Sequence, residues 1–318
     1  MPDQPAQIAD HGATGVSRQW ATLCETVFGN VDGDFLSAFR APDHPANRFS
    51  TWRPKEPTYR YYLTLIFNEA RIKSAEFFSN YAKLGETTLG QPLCVRVRGL
   101  DINLDYLTAL EEYDFLIGNS DLHAVRSVVE VGAGYGRTAH TLLKLCPAIE
   151  SYMIIDLEPI MGLARAYLGR VMPEYMPKVQ FVVADSARAW QDRQADLAIN
   201  IDSFQEMPHA TIDAYMKGLF AKAKLAYLKN PVCKYSPDLL GIERPVLQDA
   251  FDSGYMTEVA NIYDEDELEK MRRIFESRYR PTEGHRVKAR GPSGLFAHYQ
   301  HILYGPEAHS GGEGARTT

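Results

Sequence analysis

The chain has 318 residues, of which 45% are hydrophobic and 24% charged, and its 34 basic and 41 acidic side chains give a net charge of −7. These proportions are ordinary for a globular protein and exclude a disordered, collagen-like or coiled-coil chain. A mildly acidic chain without a dense Lys/Arg block has no general attraction for a phosphate backbone, so nucleic acid is not an expected partner.

The cysteines and the N-terminus indicate the compartment. The four cysteines, at positions 24, 94, 146 and 233, form no CxxC pair, which argues against a zinc knuckle or a disulfide framework. The first residues contain no basic region followed by an apolar stretch, and no run of about 18 apolar residues occurs anywhere. We therefore expect a cytoplasmic protein with reduced thiols and no membrane partner.

Residues 1–119 are predicted to form a mainly helical N-terminal domain. Residues 1–15 are polar and predicted to be a loose tail. Apolar residues recur at spacings of three and four in 20–31 and in 61–85, where Pro57 suits the first turn and Gly85 the end of one long helix. A third helix is predicted over 104–118.

From residue 126 the pattern changes to short β-rich runs that alternate with helical stretches. Five runs, at 127–132, 151–156, 179–185, 196–202 and 224–230, predict a parallel sheet covered on both faces. Two later runs, at 285–290 and 296–305, flank the sequence GPSG and predict a hairpin at the sheet edge. The predicted fold is α/β, with this domain over 120–304 and a flexible tail over 305–318.

The most informative segment, Glu130-Val-Gly132-Ala-Gly134-Tyr-Gly136, ends a predicted strand and opens a predicted helix. Glycines allow a sharp turn and a close approach of the backbone to a ligand, and a helix N-terminus offers free N–H groups. The spacing is GxGxG, which disfavours a dinucleotide, and no Gly-Lys-Ser/Thr follows as in a P-loop.

An acid follows each of the next two strands, Asp156 and then Asp185. Carboxylates at the carboxyl ends of parallel strands can accept hydrogen bonds from ribose hydroxyls and an adenine amino group, and they would repel a pyrophosphate. An acid-lined adenosine site without phosphate-binding cations favours S-adenosylmethionine (SAM), whose sulfonium is positive.

The ordered set EVGAGYG, IIDLEP, VVADSA and INIDSFQEMP resembles the class I SAM-dependent methyltransferases. Its DLEP and DSFQEMP segments resemble the sugar methyltransferases of natural-product and polysaccharide pathways. The resemblance covers residues 120–304 and implies a Rossmann-like sheet of five parallel strands with an antiparallel edge hairpin. It also implies a set of cofactor-binding residues: Glu130, Gly132, Gly134, Gly136, Asp156, Leu157, Asp185 and Ser186.

In this resemblance the three glycines pass under the methionyl part of SAM and Glu130 supports their loop. Asp156 binds the ribose hydroxyls, and Asp185 with Ser186 faces the adenine.

Three proton acceptors, Asp202, Glu206 and His209, follow the fourth strand of the predicted sheet. Methyl transfer needs an aligned acceptor and little more than a base, so the base is expected among these three, with Gln205 at the substrate. His209 fits the first turn of a helix equally well. No metal site is predicted, because His298 and His301 would lie on opposite faces of a strand.

Residues 231–263 form a long segment after the fifth strand and are predicted to be a substrate loop, with Asp252, Tyr255 and Glu258 at the acceptor. The segment has five acidic and two basic residues among its aromatic rings, which suits a cationic ring such as an aminosugar.

The first hypothesis is N-methylation of an aminosugar, and the overall match also resembles aminoglycoside N-methyltransferases of the gentamicin type. The alternatives are O-methylation of a neutral sugar hydroxyl and a non-catalytic SAM-binding or assembly module. A nicotinamide oxidoreductase is disfavoured by the GxGxG spacing and the charge of Arg137. The oligomeric state and the choice of base stay open.

Overall fold

The computed structural model describes residues 15–47, 58–191, 193–236 and 251–306. The N-terminal part of the chain is mainly helical. Its helices and one β-hairpin are α1 (Arg18–Thr26), α2 (Gly33–Ala38), α3 (Tyr59–Arg71), α4 (Ala75–Leu84), β1 (Cys94–Val97), β2 (Leu100–Asn103) and α5 (Leu104–Asn119). Side-chain caps begin several of these helices: Ser17 accepts a hydrogen bond from the Trp20 amide, and Asn103 accepts one from the Tyr106 amide.

The prediction of a single helix over 61–85 is wrong, because the structure has two helices there, α3 and α4. Ser74 has an extended backbone, and its hydroxyl accepts a hydrogen bond from the Phe77 amide at 3.1 Å, which starts a second helix. Gly85 ends α4 with a φ of +79°, as expected for a glycine at this position. Pro57 lies outside the described residues.

The β1–β2 hairpin was not predicted. Val97 pairs with Leu100, so the turn consists of Arg98 and Gly99, which both have positive φ. Two positive-φ residues match a two-residue hairpin turn. The Arg-Gly turn lacks the Asn-Gly or Asp-Gly signature that marks such turns in a sequence.

The predicted α/β fold is confirmed by the central sheet. Five parallel strands, β3 (Ser127–Val131), β4 (Ser151–Asp156), β5 (Val179–Val183), β6 (Leu197–Ile201) and β7 (Leu225–Pro231), are joined at one edge by the antiparallel strands β10 (His285–Pro292) and β11 (Tyr299–Pro306). The strand order is β10-β11-β7-β6-β3-β4-β5. Strand β11 extends two residues past the predicted domain end at 304.

The helices that follow the strands are α6 (Arg137–Leu145), α7 (Glu158–Val171), α8 (Ala187–Trp190), α9 (His209–Gly218) and α10 (Glu265–Arg278). The predicted substrate loop includes a short parallel pair, β8 (Lys234–Tyr235) with β9 (Val259–Ala260), while residues 237–250 lie outside the described part. Within the described part, no helix is long and apolar enough to cross a membrane.

Two apolar cores lie on opposite faces of the sheet. One contains side chains of α4–α7 with Val128 and Tyr227, and the other contains α9 and α10 with Val129 and Leu228. Because side chains alternate along a strand, neighbouring residues of β3 and β7 enter different cores. The N-terminal helices therefore share a core with the helices of the sheet.

A buried ion network links α5 to this face of the sheet. The Lys229 ammonium on β7 lies 3.0 Å from Glu112 and 3.2 Å from Glu111, and Arg137 at the start of α6 lies 3.0 Å from the same Glu112. The side chains of Lys229 and Glu112 are only 5% and 2% exposed. Buried charges persist where they are paired and hydrogen-bonded, and this network connects α5 with α6 and β7.

Candidate cofactor and acceptor site

A cavity of about 1160 Å³, including its open mouth, lies at the carboxyl ends of β3, β4 and β6. Its walls are the glycine loop, the ends of β4 and β6, the start of α9 and residues 15–20 of the N-terminal segment. Open α/β sheets bind ligands at this edge because the loops and helix N-termini converge there.

The glycine loop has a conformation that side chains rarely adopt. Gly132 has a φ of +74°, and a Cβ there would lie 2.1 Å from the Ser203 hydroxyl oxygen. Gly136 has a φ of +93° and begins α6, and a Cβ there would lie 2.8 Å from Leu168. The turn therefore needs glycine at both positions, because the backbone angles disfavour a side chain and because Ser203 and Leu168 leave no room for a Cβ.

Asp156 is held beside this loop at the end of β4. One carboxylate oxygen accepts a hydrogen bond from the Gly134 amide at 3.0 Å, and the other accepts one from the Leu157 amide at 2.8 Å. Both Asp156 and Leu157 line the cavity, and enclosure raises the pKa of Asp156 to about 7. A carboxyl group fixed at this point can accept hydrogen bonds from the hydroxyls of a ligand.

Glu130 lies in β3 beneath the glycine loop. It accepts a 2.7 Å hydrogen bond from the Tyr152 hydroxyl, and burial raises its pKa to about 7. Asp185 and Ser186, in contrast, are exposed beyond β5, and the residue of that segment that lines the cavity is Ala184. The structure brings Glu130 and Asp156 together at the cavity and leaves Asp185 and Ser186 outside its lining.

Asp202 and Glu206 form the opposite wall, after β6. The Asp202 Oδ1 atom accepts hydrogen bonds from the Tyr299 hydroxyl at 2.8 Å and from the Gln205 side-chain amide. Enclosure, followed by the charge of Glu206, raises the pKa of Asp202 to about 7. The Glu206 Oε2 atom accepts a 2.6 Å hydrogen bond from the Trp20 indole.

His209 does not join this wall. It is the exposed first residue of α9, and its ring contacts Tyr255 with a centroid distance of 5.7 Å. Within the cavity lining that the structure describes, the acids that follow β6 are Asp202 and Glu206.

The predicted substrate-loop residues have partners away from the cavity. Glu258 pairs with Arg278 at the end of α10 at 2.6 Å, and Tyr255 donates a hydrogen bond to Asp213 on α9. Asp252 is exposed, and none of these three residues nor Gln205 is in the described cavity lining. Three further acids of that loop, Asp238, Glu243 and Asp249, lie outside the described residues. The structure therefore does not bring Asp252, Tyr255 and Glu258 into the described lining of the cavity.

Residues from distant parts of the chain also reach the cavity, and no sequence pattern predicted them. Val16, Ser17 and Trp20 line it, and the Gly15 carbonyl accepts a 3.0 Å hydrogen bond from Thr211 on α9. No local pattern marks these contacts, since Trp20 and Glu206 are 186 residues apart.

Asn200 carried a readable signal, because a buried polar residue inside an apolar strand needs hydrogen-bond partners. Its side-chain amide donates to the Val131 carbonyl at 3.0 Å and to the Ser203 hydroxyl at 2.5 Å, which ties β6 to the glycine loop.

No protein-family model matches the chain, and no curated protein matches it. Among solved structures it is similar to the methyltransferase domain of bacterial CtHen1, with 16% identity over 64% of this chain and 100% of that chain and a TM-score of 0.44. It is also similar to the mitomycin 7-O-methyltransferase MmcR, with 14% identity over 86% of this chain and 74% of that chain and a TM-score of 0.45.

A third similar structure is NcsB1, an O-methyltransferase from neocarzinostatin biosynthesis in complex with SAM and 2-hydroxy-5-methyl naphthoic acid. Its identity is 16% over 64% of this chain and 56% of that chain, with a TM-score of 0.41. Similarity at this level assigns neither an activity nor a substrate to this chain.

Proposed function

We propose that the protein is a SAM-dependent methyltransferase that acts on a hydroxyl group of a small, sugar-like acceptor. One observation carries this proposal: Asp156 and Asp202 line the same cavity, at the ends of β4 and β6, with the glycine loop between them. A carboxyl group on the proposed cofactor side and one on the proposed acceptor side thus line the same cavity.

The charges of the cavity suit a cationic cofactor. Its described lining contains the carboxyl groups of Glu130, Asp156, Asp202 and Glu206 and the guanidinium of Arg137. That guanidinium is paired with Glu112, so it does not offer a free charge to a phosphate. An excess of carboxyl groups attracts a sulfonium and disfavours a pyrophosphate.

The residues present also offer contacts that SAM can use. The Gly134 amide holds the Asp156 carboxylate at the cavity, where its oxygens can accept hydrogen bonds from ribose hydroxyls. When bound, SAM supplies a methyl group on positively charged sulfur. Leu157 and Ile160 add apolar surface to the same wall.

Asp202 is the proposed general base. A carboxyl group with a pKa of about 7 can take a proton from an acceptor near neutral pH, and a hydroxyl acceptor needs such a base strongly. The neighbouring Glu206, which accepts a hydrogen bond from the Trp20 indole, can also accept one from a second hydroxyl of the same acceptor. Support for a sugar comes from the resemblance of the DLEP and DSFQEMP segments.

An aminosugar nitrogen, the first hypothesis from the sequence, is the weaker candidate. Its support was the acidity of the loop at 231–263, and Glu258 in that loop is neutralised by Arg278. Asp252 is likewise outside the described cavity lining. In the described part of the loop, no acid that lines the cavity favours a cationic acceptor over a neutral one.

The test is calorimetric titration with S-adenosylhomocysteine, followed by transfer of a radiolabelled methyl group from SAM to matched panels of neutral sugars and aminosugars. We expect micromolar binding and transfer to hydroxyls. Absence of binding contradicts the cofactor assignment, and binding without transfer to any acceptor favours the non-catalytic module.

Asp202→Asn tests the base. We expect kcat to fall by about 100-fold or more while S-adenosylhomocysteine still binds. Asp252→Asn is the matched control, because this exposed residue is outside the described cavity lining. A large increase in acceptor KM for Asp252→Asn would instead support a cationic acceptor.

A further inference from the structure

Asp202 has an unusual backbone for a residue with a side chain. Its φ is +63°, in the left-handed region, and its amide donates a 2.8 Å hydrogen bond to the Lys229 carbonyl on β7. A non-glycine residue in this region is strained by roughly 1–2 kcal/mol, and such strain persists where the surroundings determine the conformation. The turn after β6 therefore directs the Asp202 side chain at a cost in stability.

The two oxygens of the Asp202 carboxylate have different surroundings. Oδ1 accepts hydrogen bonds from the Tyr299 hydroxyl and from the Gln205 side-chain amide. Within the described residues no hydrogen bond reaches Oδ2, and Asp202 lines the cavity. Two donors on one oxygen fix the rotation of the carboxylate and leave the other oxygen for a group in the cavity.

Tyr299 is itself held in place by packing. It begins β11, where it pairs with Pro231 of β7, and its side chain is buried. Its ring contacts His298 with a centroid distance of 4.8 Å and Phe296 at 6.2 Å. Burial raises the pKa of its hydroxyl well above the ordinary value, so the hydroxyl stays a hydrogen-bond donor.

We infer that Tyr299, on the antiparallel edge strand, is a positioning residue that orients Asp202 so that Oδ2 receives the acceptor proton, with Gln205 as the second orienting group. This inference rests on the proposed function. The acceptor proton moves to Oδ2 as the acceptor oxygen forms its bond to the methyl carbon, the carbon–sulfur electron pair stays on sulfur, and the proton then passes to solvent.

The hydrogen bond also predicts a pH effect. The groups that act on Asp202 are Glu206 after β6, Tyr299 on β11, Arg137 on α6, Lys229 on β7, and Lys234 and Tyr235 on β8. Among them, the Tyr299 hydroxyl stabilises the ionised carboxylate and lowers its pKa. Removal of this hydroxyl should raise the pKa of Asp202 and move the ascending limb of the kcat–pH profile to higher pH.

The test compares Tyr299→Phe with Tyr304→Phe in the full chain. Tyr304 is a matched control, since it is buried in the same strand and its hydroxyl bonds to the Glu276 carbonyl, far from Asp202 in the sheet. For Tyr299→Phe we expect kcat to fall about tenfold or more, the ascending limb to rise by about one pH unit, and S-adenosylhomocysteine to bind within twofold of wild type. A Tyr299→Phe profile and kcat equal to those of Tyr304→Phe would overturn the inference.

A second measurement separates this inference from the proposed function. The titration of the Asp202 carboxyl is followed by NMR with ¹³C-labelled aspartate, and Asp202→Asn identifies its signal. A titration midpoint that is higher in Tyr299→Phe than in wild type supports the orienting hydrogen bond, whether or not an acceptor is methylated. Failure to methylate any acceptor would count only against the proposed enzymatic function. Equal midpoints in wild type and Tyr299→Phe show that Tyr299 does not hold the carboxylate.

Discussion

Replacement of Gly132 by alanine is the sharpest test of the glycine loop. A Cβ at this position would lie 2.1 Å from the Ser203 hydroxyl oxygen and 2.4 Å from the Ser203 Cβ. Either the Ser203 side chain must move or the loop must change its conformation. Ser203 cannot move freely, because its hydroxyl bonds to Asn200 at 2.5 Å and to the Val131 carbonyl at 3.2 Å.

The expected cost follows from these contacts. A left-handed backbone costs an alanine roughly 1–2 kcal/mol relative to glycine. Loss of the two Ser203 hydrogen bonds costs about 1 kcal/mol each. The sum of about 3–4 kcal/mol corresponds to a loss of affinity of about 100-fold or more for a ligand that needs this loop conformation.

The assay is calorimetric titration of Gly132→Ala with S-adenosylhomocysteine, together with urea unfolding. The control is Gly162→Ala in α7, where a Cβ would meet nothing within 4 Å. Alanine is the better helix former, so this control should gain about 0.5–1 kcal/mol in unfolding free energy and bind normally. Binding by Gly132→Ala within threefold of wild type, with unchanged stability, would refute the reasoning.

Two further predictions concern buried charge. Lys229→Met removes the ammonium partner of the partly buried Glu111 and of the buried Glu112, and because Arg137 still pairs with Glu112 it should lower the unfolding free energy by about 3 kcal/mol in urea, the low end for a broken buried pair. The exposed pair partner Lys217 is the control, since Lys217→Met should cost under about 1 kcal/mol, and equal losses would contradict the buried network. For pH dependence, the folded-state pKa values of Glu130, Asp156 and Asp202 are about 7, above unfolded values near 4. The folded state then binds more protons than the unfolded state between about pH 4 and pH 7, so the stability of the ligand-free protein should fall as pH rises through this window. Asp202→Asn should make the difference in stability between pH 5.5 and pH 8 smaller, and an unchanged difference would show that Asp202 does not contribute.

The strands of the sheet could be predicted because their signals are local. Most of the parallel strands are short, largely apolar runs that are buried on both faces, as in Val128–Val131 and Leu197–Ile201. The break between α3 and α4 was not predicted, because Ser74 is compatible with a helix interior as well as with a cap. In the structure, Phe77 and Phe78 of α4 pack into the core that the N-terminal helices share with α6 and α7.

The acids after β6 and in the loop at 231–263 show the limit of prediction from local sequence. Asp202 and Glu206 could be selected as candidates because they directly follow a buried strand. Whether an acid lines the cavity or pairs with a helix depends on its partners. Glu258 pairs with Arg278 on α10 and is not in the described cavity lining. Charge alone, read along the loop, could not make that distinction.

The sequence by itself determined the α/β sheet, its glycine loop and the meeting of Asp156 and Asp202 at one edge, because the carboxyl ends of parallel strands converge wherever the strands form. Only the tertiary structure decided that Trp20 binds Glu206 and that Tyr299 binds Asp202, since these pairs are 186 and 97 residues apart. Contacts over such separations depend on how whole helices and strands pack, and no local spacing encodes that packing.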